Sequence, residues 1–245
     1  MFSVRGVVAQ LAAAATLVGL CCVSARADGF ARNDDTFLYF SGVDLWTHGS
    51  FSYGGMLWSP GGLDRDGFTF KALIGTGSYQ YTSGALGGLT VTGQQFSGFV
   101  LPGWRFVRDK TFVTVFAGLD LQHHWIIPYD PASDLLGSHA GIRGAIEVWH
   151  EPNAATMIAA DATVSSIGPS FAARAAYGWR VADAFYIGPE IGGFASRDTY
   201  QQFRAGLHVT GFRFAWVEWS AAFGWAMDSD DRDGFYARLG LHVRR

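Results

Sequence analysis

The chain holds 245 residues at a formal charge of −3, with 49% hydrophobic, 16% aromatic and only 16% charged residues. Disordered chains are charge-rich and aromatic-poor, and nucleic-acid binders carry a basic stripe, so both classes are excluded. Beyond the N-terminal segment no apolar run approaches the roughly 18 residues of a membrane helix, which excludes a helical bundle.

In chain order, the first element is an address. Arg5 supplies a short positive region, an apolar stretch runs from Val7 to Val23, and Ala25-Arg26-Ala27 fits a small-x-small cleavage site. Residues 1–27 are therefore expected to be a secretory signal peptide that is removed, leaving 28–245 as one domain. Removal takes Arg5 and Arg26 and no acid, so the formal charge moves from −3 to −5. Both cysteines, Cys21 and Cys22, leave with it. The exported chain must then reach stability in an oxidising compartment without a disulfide.

From there to the C-terminus apolar and polar residues alternate. Ala140, Ile142, Gly144, Ile146 and Val148 face one way, and Gly141, Arg143, Ala145, Glu147 and Trp149 the other. Phe235, Ala237, Leu239, Leu241 and Val243 repeat the pattern against Tyr236, Arg238, Gly240, His242 and Arg244. A period of two with one apolar face is a half-buried strand. Such stretches lie near 36–46, 51–58, 67–79, 89–101, 111–122, 139–149, 155–165, 171–180, 185–194, 201–210, 212–225 and 234–244.

These strands are longer than the five or six residues usual in soluble sheets. Their connections also alternate. Tight turns are expected at 107–110, 150–154, 181–184 and the Gly211 corner, with longer loops at 82–88, 123–138, 195–200 and 226–233. Short turns at one end and long loops at the other predict an all-β fold: an antiparallel up-and-down transmembrane β-barrel of about 12 strands in the outer membrane. Trp46, Trp58, Tyr79, Tyr81, Trp104, Trp125, Trp149, Trp179, Tyr186 and Trp225 fall near strand ends, where aromatic girdles are expected. The C-terminus departs from the usual aromatic ending and reads Val243-Arg244-Arg245.

If the apolar faces meet lipid, the opposite faces line a lumen. Its lining is expected to include Arg143, Glu147, Asp161, Arg174, Glu190, Arg204, Glu218 and Arg238, with Lys71, Asp120, Arg180, His208 and His242. Interleaved signs fit a salt-bridged plug or a narrow pore. Inward aromatics are expected to be few beyond Trp149 and Tyr236, which argues against a conduit for a sugar polymer.

Catalytic motifs are not found, and no cofactor or metal is expected. Gly75-Thr76-Gly77 lies in a strand, and His150-Glu151 lacks a second histidine one helical turn on. His123, His124 and His139 read as loop histidines. The run Asp228–Gly234 resembles a calcium loop, but Arg232 stands at a ligand position, so a solvated external loop is expected. Ser138-His139 is the one Ser/His pair that a lipid hydrolase could use, but strand neighbours point to opposite faces.

Several strings carry a family resemblance. They are Ser41-Gly42-Val43-Asp44-Leu45-Trp46, Trp58-Ser59-Pro60-Gly61-Gly62-Leu63-Asp64, Leu101-Pro102-Gly103-Trp104-Arg105-Phe106, Trp149-His150-Glu151-Pro152 and Glu218-Trp219-Ser220-Ala221-Ala222. Over about Phe37 to Arg245 the chain resembles the cellulose biosynthesis protein BcsS family. The resemblance implies an exported outer-membrane protein of cellulose synthesis and secretion and brings no catalytic residues with it; the charged lumen with few aromatics then points to a non-catalytic accessory barrel. Its implied partners are outer-membrane lipid and components of the cellulose-synthesis complex or nascent glucan. A small-solute channel and a lipid- or glucan-modifying barrel enzyme are the alternatives.

Overall fold

Twelve strands carry the alternation, each antiparallel to the next. They are β1 (Phe37–Trp46), β2 (Gly49–Trp58), β3 (Gly67–Ser83), β4 (Leu89–Arg108), β5 (Thr111–Ile127) and β6 (Gly137–Asn153), followed by β7 (Thr156–Ser165), β8 (Ser170–Val181), β9 (Phe185–Ser196), β10 (Gln201–Phe214), β11 (Val217–Asp228) and β12 (Asp233–Arg244). The computed structural model describes residues 35–196 and 200–245, so the expected signal segment lies outside the described residues. β1 pairs with β12 from Leu38↔Arg244 to Trp46↔Tyr236 and closes the sheet into a barrel. Arg245 continues the seam by exchanging backbone hydrogen bonds with Phe37 at 2.7 and 2.8 Å. Closure pairs every strand edge, which a strand structure in hydrocarbon requires.

Cross-strand partners share a face, so the register sorts the side chains. Val115↔Ile146, Leu119↔Ile142 and Leu207↔Phe223 point outward. Ile142 is 69% exposed, Leu207 62% and Leu119 59%. A soluble monomer rarely exposes an apolar patch beyond a few hundred Å². An apolar band around a closed barrel fits hydrocarbon instead.

The core is the lumen itself. Leu57, Leu101 and Phe116 form one inward cluster, Met157, Ala159 and Tyr186 a second, and Ala222, Ala226 and Tyr236 a third.

The rims follow the expected alternation with two exceptions. Among the described residues, the lower rim, which carries the start of β1 and the end of β12, has tight turns at 109–110, 154–155, 182–184 and 215–216, whereas the upper rim has 84–88, 128–136, 166–169 and 229–232. The exceptions are the short upper turn at 47–48 and the long lower loop at 59–66. The corner expected at Gly211 is corrected by the structure. Gly211 (φ 81°) sits in a bulge between Val209 and Phe212, β10 resumes to Phe214, and the turn falls at 215–216 with Ala215 at φ 56°. A bulge and a turn both favour a left-handed residue, and only pairing with β11 separates them.

Candidate functional site: the barrel lumen

The eight lining candidates all point into the barrel, and the folded chain joins them into ion pairs. Arg143 Nη2 donates to Asp120 Oδ2 at 2.7 Å, and the Ser165 hydroxyl donates to the same oxygen at 2.5 Å. Arg174 bridges Asp161 at 2.7 Å and Glu190 at 3.5 Å. Glu190 also receives Arg238 Nη2 at 2.6 Å and the Tyr236 hydroxyl at 3.1 Å. Glu147 takes the Lys71 ammonium. Glu218 lies near the lower rim, 3.2 Å from Arg213 and 4.0 Å from His242.

Arg204 reaches a residue outside the expected lining, Asp44, with two bonds of 2.7 and 2.8 Å. Asp44 keeps period with Phe40 and Gly42, opposite Val43 and Leu45, which is the pattern that could have placed it inward. Three of these links are chords across the barrel: β3 to β6, β10 to β1 and β12 to β9. Isolated charges in such an interior would cost several kcal/mol each, and pairing roughly cancels that cost. The pairs therefore fill and brace the lumen. Asp161 and Glu147 keep 44% and 36% of their side chains accessible, so part of the interior admits water.

The expectation of few inward aromatics is overturned. Tyr53 shares the inward face with Gly42, Phe51 with Asp44 and Phe99 with Asp120. Trp46, Tyr79, Tyr81 and Tyr186, expected in the girdles, also point inward by register, as does Trp149, in line with its expected inward place. Trp58, Trp104, Trp125, Trp179 and Trp225 do face out, at 36–53% exposure.

The inward rings lie flat over glycines of the neighbouring strand. A Cβ on Gly42 would meet the Tyr53 ring at 2.7 Å, one on Gly55 the Phe40 ring at 2.6 Å, and one on Gly75 the Phe51 ring at 2.5 Å. Phe116 covers Gly103, and Tyr236 covers Gly206 and Gly224, in the same way. Much of the glycine content is thus the floor on which the interior aromatics rest.

The long lower loop 59–66 turns into the lower mouth. Leu63, 2% exposed, packs on Leu57, Leu101 and Phe116, and its backbone N–H bonds Asp35 O at 2.8 Å. Arg105 donates to Leu63 O, Arg244 pairs with Asp64 at 3.1 Å, and Arg108 pairs with Asp66 at 2.5 Å. The bond from Arg108 and the Val107 backbone N–H hold the Asp66 carboxyl below its ordinary pKa. An apolar plug is thereby latched by guanidiniums from β4 and β12.

Over the upper mouth, loop 128–136 places Asp130 against the Tyr81 hydroxyl at 2.9 Å. The Ser83 hydroxyl, the Ala132 backbone N–H and Tyr81 lower the Asp130 pKa. The acidic run at the β11–β12 connection keeps Ser229, Asp231 and Asp233 exposed, as expected of an external loop, but is tied together from within. Arg232 pairs inside it with Asp228 at 2.6 Å and Asp230 at 3.3 Å, and bonds Gln80 O on β3 at 2.9 Å. A guanidinium thus stands at the centre of the acids.

Ser138 and His139 do point to opposite faces, but Ser138 has another histidine. His123 on β5 stands across from it on the outward face, with Nδ1 2.6 Å from Oγ. Only the β5–β6 register reveals this pair. The His123 and Trp125 rings meet edge-to-face with their centres 4.2 Å apart. His139 turns inward and bonds Leu135 O at 2.9 Å.

A closed antiparallel barrel with an apolar outer band and an ion-paired interior defines the outer-membrane class of β-barrel protein. Solved structures share that fold. A COG4313 outer membrane channel from Pseudomonas putida F1 is 10% identical with a TM-score of 0.57, over 91% of this chain and 100% of that one. The translocator domain of the autotransporter NalP from Neisseria meningitidis is 12% identical with a TM-score of 0.51, over 96% and 98%. No curated protein matches the sequence. The family profile of cellulose biosynthesis protein BcsS matches residues 38–245, and the chain belongs to that family.

Proposed function

We propose that this chain is a non-catalytic accessory barrel of the outer membrane that serves cellulose biosynthesis and secretion. In this reading residues 1–27 direct export and are removed, and residues 28–245 form the barrel. The lower rim then faces the periplasm and the upper rim the exterior. One observation carries the reading: the family match over 38–245 covers the same residues that build the closed barrel. The outer band meets membrane lipid. Components of the cellulose-synthesis machinery, or the glucan itself, are its partners. The charge pairs are spent on one another, which supports a bracing role over a catalytic one.

The test is a cellulose assay, outside the cell and in the periplasm, of a strain lacking this protein. Falling surface cellulose with rising periplasmic glucan is expected for a barrel that serves export. A fall in both places would move its action to the synthase or its assembly. No change in either would overturn the cellulose role and favour a small-solute channel.

A further inference from the structure

The inward wall of β1, β2 and β3 carries rings in series. Phe40 and Tyr53 are 6.4 Å apart and tilted by 54°, Tyr53 and Phe51 are 6.1 Å apart at 25°, and Tyr79 and Tyr81 are 6.3 Å apart at 24°. The run climbs from mid-barrel to the upper mouth. Glycines of the adjoining strands back Phe40, Phe51, Tyr53 and Tyr79 on the wall side, and Tyr79 also meets His124, its hydroxyl 3.1 Å from Nδ1. All five rings are half-buried. At the foot, the Lys71 ammonium stands 5.2 Å from the centre of the Phe40 ring and ends the run.

Beside the rings stand polar groups that keep some access. Asp44 pairs in register with Phe51, and its partner Arg204 completes a couple with side chains 25% and 22% exposed. A ligand for this wall must offer flat apolar faces to rings and hydroxyls to charged groups at its edges. An aliphatic chain lacks the second feature. An anion would compete with carboxylates that are already paired. A sugar ring has both, because its axial C–H faces stack on aromatics while its hydroxyls bond outward.

We propose that this wall binds a neutral, extended β-linked glucan. The inference rests on the cellulose reading above and names the ligand class of the same lumen. The two near-parallel pairs, Phe51–Tyr53 and Tyr79–Tyr81, suit a flat, ribbon-like polymer better than an α-linked chain, which coils.

The experiment titrates the purified full chain in detergent with cellohexaose, and with maltohexaose as the coiling control, by calorimetry. Saturable cellohexaose binding is expected, at least tenfold weaker in Phe51→Ala and Tyr53→Ala and retained in Tyr53→Phe, which keeps the ring. Each variant is first shown to be folded by its unboiled gel migration. No saturable binding by the folded wild type, undiminished binding in both alanine variants, or equal binding of maltohexaose would overturn the proposal. The strain assay separates the two readings. A cellulose defect without cellohexaose binding sinks this inference alone. Binding without a cellulose defect sinks the cellulose role and leaves the glucan site standing.

Discussion

Tyr236 on β12 lies across Gly224 and Gly206 to donate its hydroxyl to Glu190 on β9, at 3.1 Å. The row Glu190–Gly206–Gly224–Tyr236 is continuous in the register, so two bare positions let one side chain span two strands. Arg238 reaches the same carboxylate at 2.6 Å and Arg174 at 3.5 Å. Glu190, 3% exposed at its side chain, is thus the counterion of two guanidiniums.

Glu190→Gln leaves both of those guanidiniums without their shared charge. The expected loss is about 3 kcal/mol, in line with removing one partner of a buried pair. Urea unfolding in detergent reads it as a lower midpoint. Adding Arg238→Met should recover part of the loss, because it withdraws the guanidinium nearest the lost charge, whereas Arg174 keeps Asp161 at 2.7 Å. An unchanged midpoint for Glu190→Gln would mean that water already solvates the cluster.

The ring-on-glycine contacts predict a contrast between two glycines of one hairpin. A methyl at Gly42 meets the Tyr53 hydroxyl at 2.6 Å and the Leu239 carbonyl at 2.8 Å, whereas at Gly54 the nearest atom is 4.0 Å away. Gly42→Ala should cost about 1–3 kcal/mol as overpacking. Gly54→Ala should stay within about 0.5 kcal/mol. Equal costs would show that the rings yield freely.

The latch on loop 59–66 makes acid an opener. Asp66 has a folded pKa below its ordinary 3.8, so its contribution is complete above that value and is lost as pH falls through the lowered one. Asp130 on the upper loop shifts in the same direction. Conductance in planar bilayers should therefore rise on acidification below the ordinary aspartate range. Leu63→Asp should raise it at neutral pH, since the apolar seat among Leu57, Leu101 and Phe116 rejects a charge. Low, pH-independent conductance in both proteins would place the constriction elsewhere in the lumen.

Ser138→Ala tests the remaining enzymatic alternative. If the Ser138–His123 bond of 2.6 Å is only a cross-strand pair, the variant should restore surface cellulose to a deletion strain as well as the wild type. Its stability should fall by no more than about 1 kcal/mol, the value of one hydrogen bond. Loss of cellulose from a stable Ser138→Ala protein would instead mark a nucleophile.

The parts of this architecture legible in the sequence are those in which one face is uniformly apolar. β6 and β12 announce themselves because Ile142, Ile146, Leu239 and Leu241 face lipid opposite Arg143, Glu147 and Arg238. β2 and β3 do not. Gly-Ser-Phe-Ser-Tyr-Gly-Gly-Met-Leu-Trp puts Phe51, Tyr53 and Gly55 inward and Ser50, Ser52, Gly54 and Trp58 outward, so polarity gives no face. There the orientation follows from neighbours, Gly42↔Tyr53 and Phe51↔Gly77, which are long-range facts. The Asp44–Arg204 chord and the inward fold of Leu63 are hidden for the same reason. Which charges line the lumen is a local property of each strand; which of them meet depends on the curvature of the whole sheet.

The seam between β1 and β12 also sets the order of assembly. Its pairs, from Leu38↔Arg244 to Trp46↔Tyr236, join the two ends of the folded chain, whereas every other strand pairs with a neighbour in sequence. Hairpins can zip progressively from local contacts, but the ring is completed only when the final strand arrives. Until then two unpaired edges face one another across a gap, each a template for a foreign strand. A chain truncated within β12 would therefore keep most of its hairpins and lose the cylinder, surviving as a sticky open sheet.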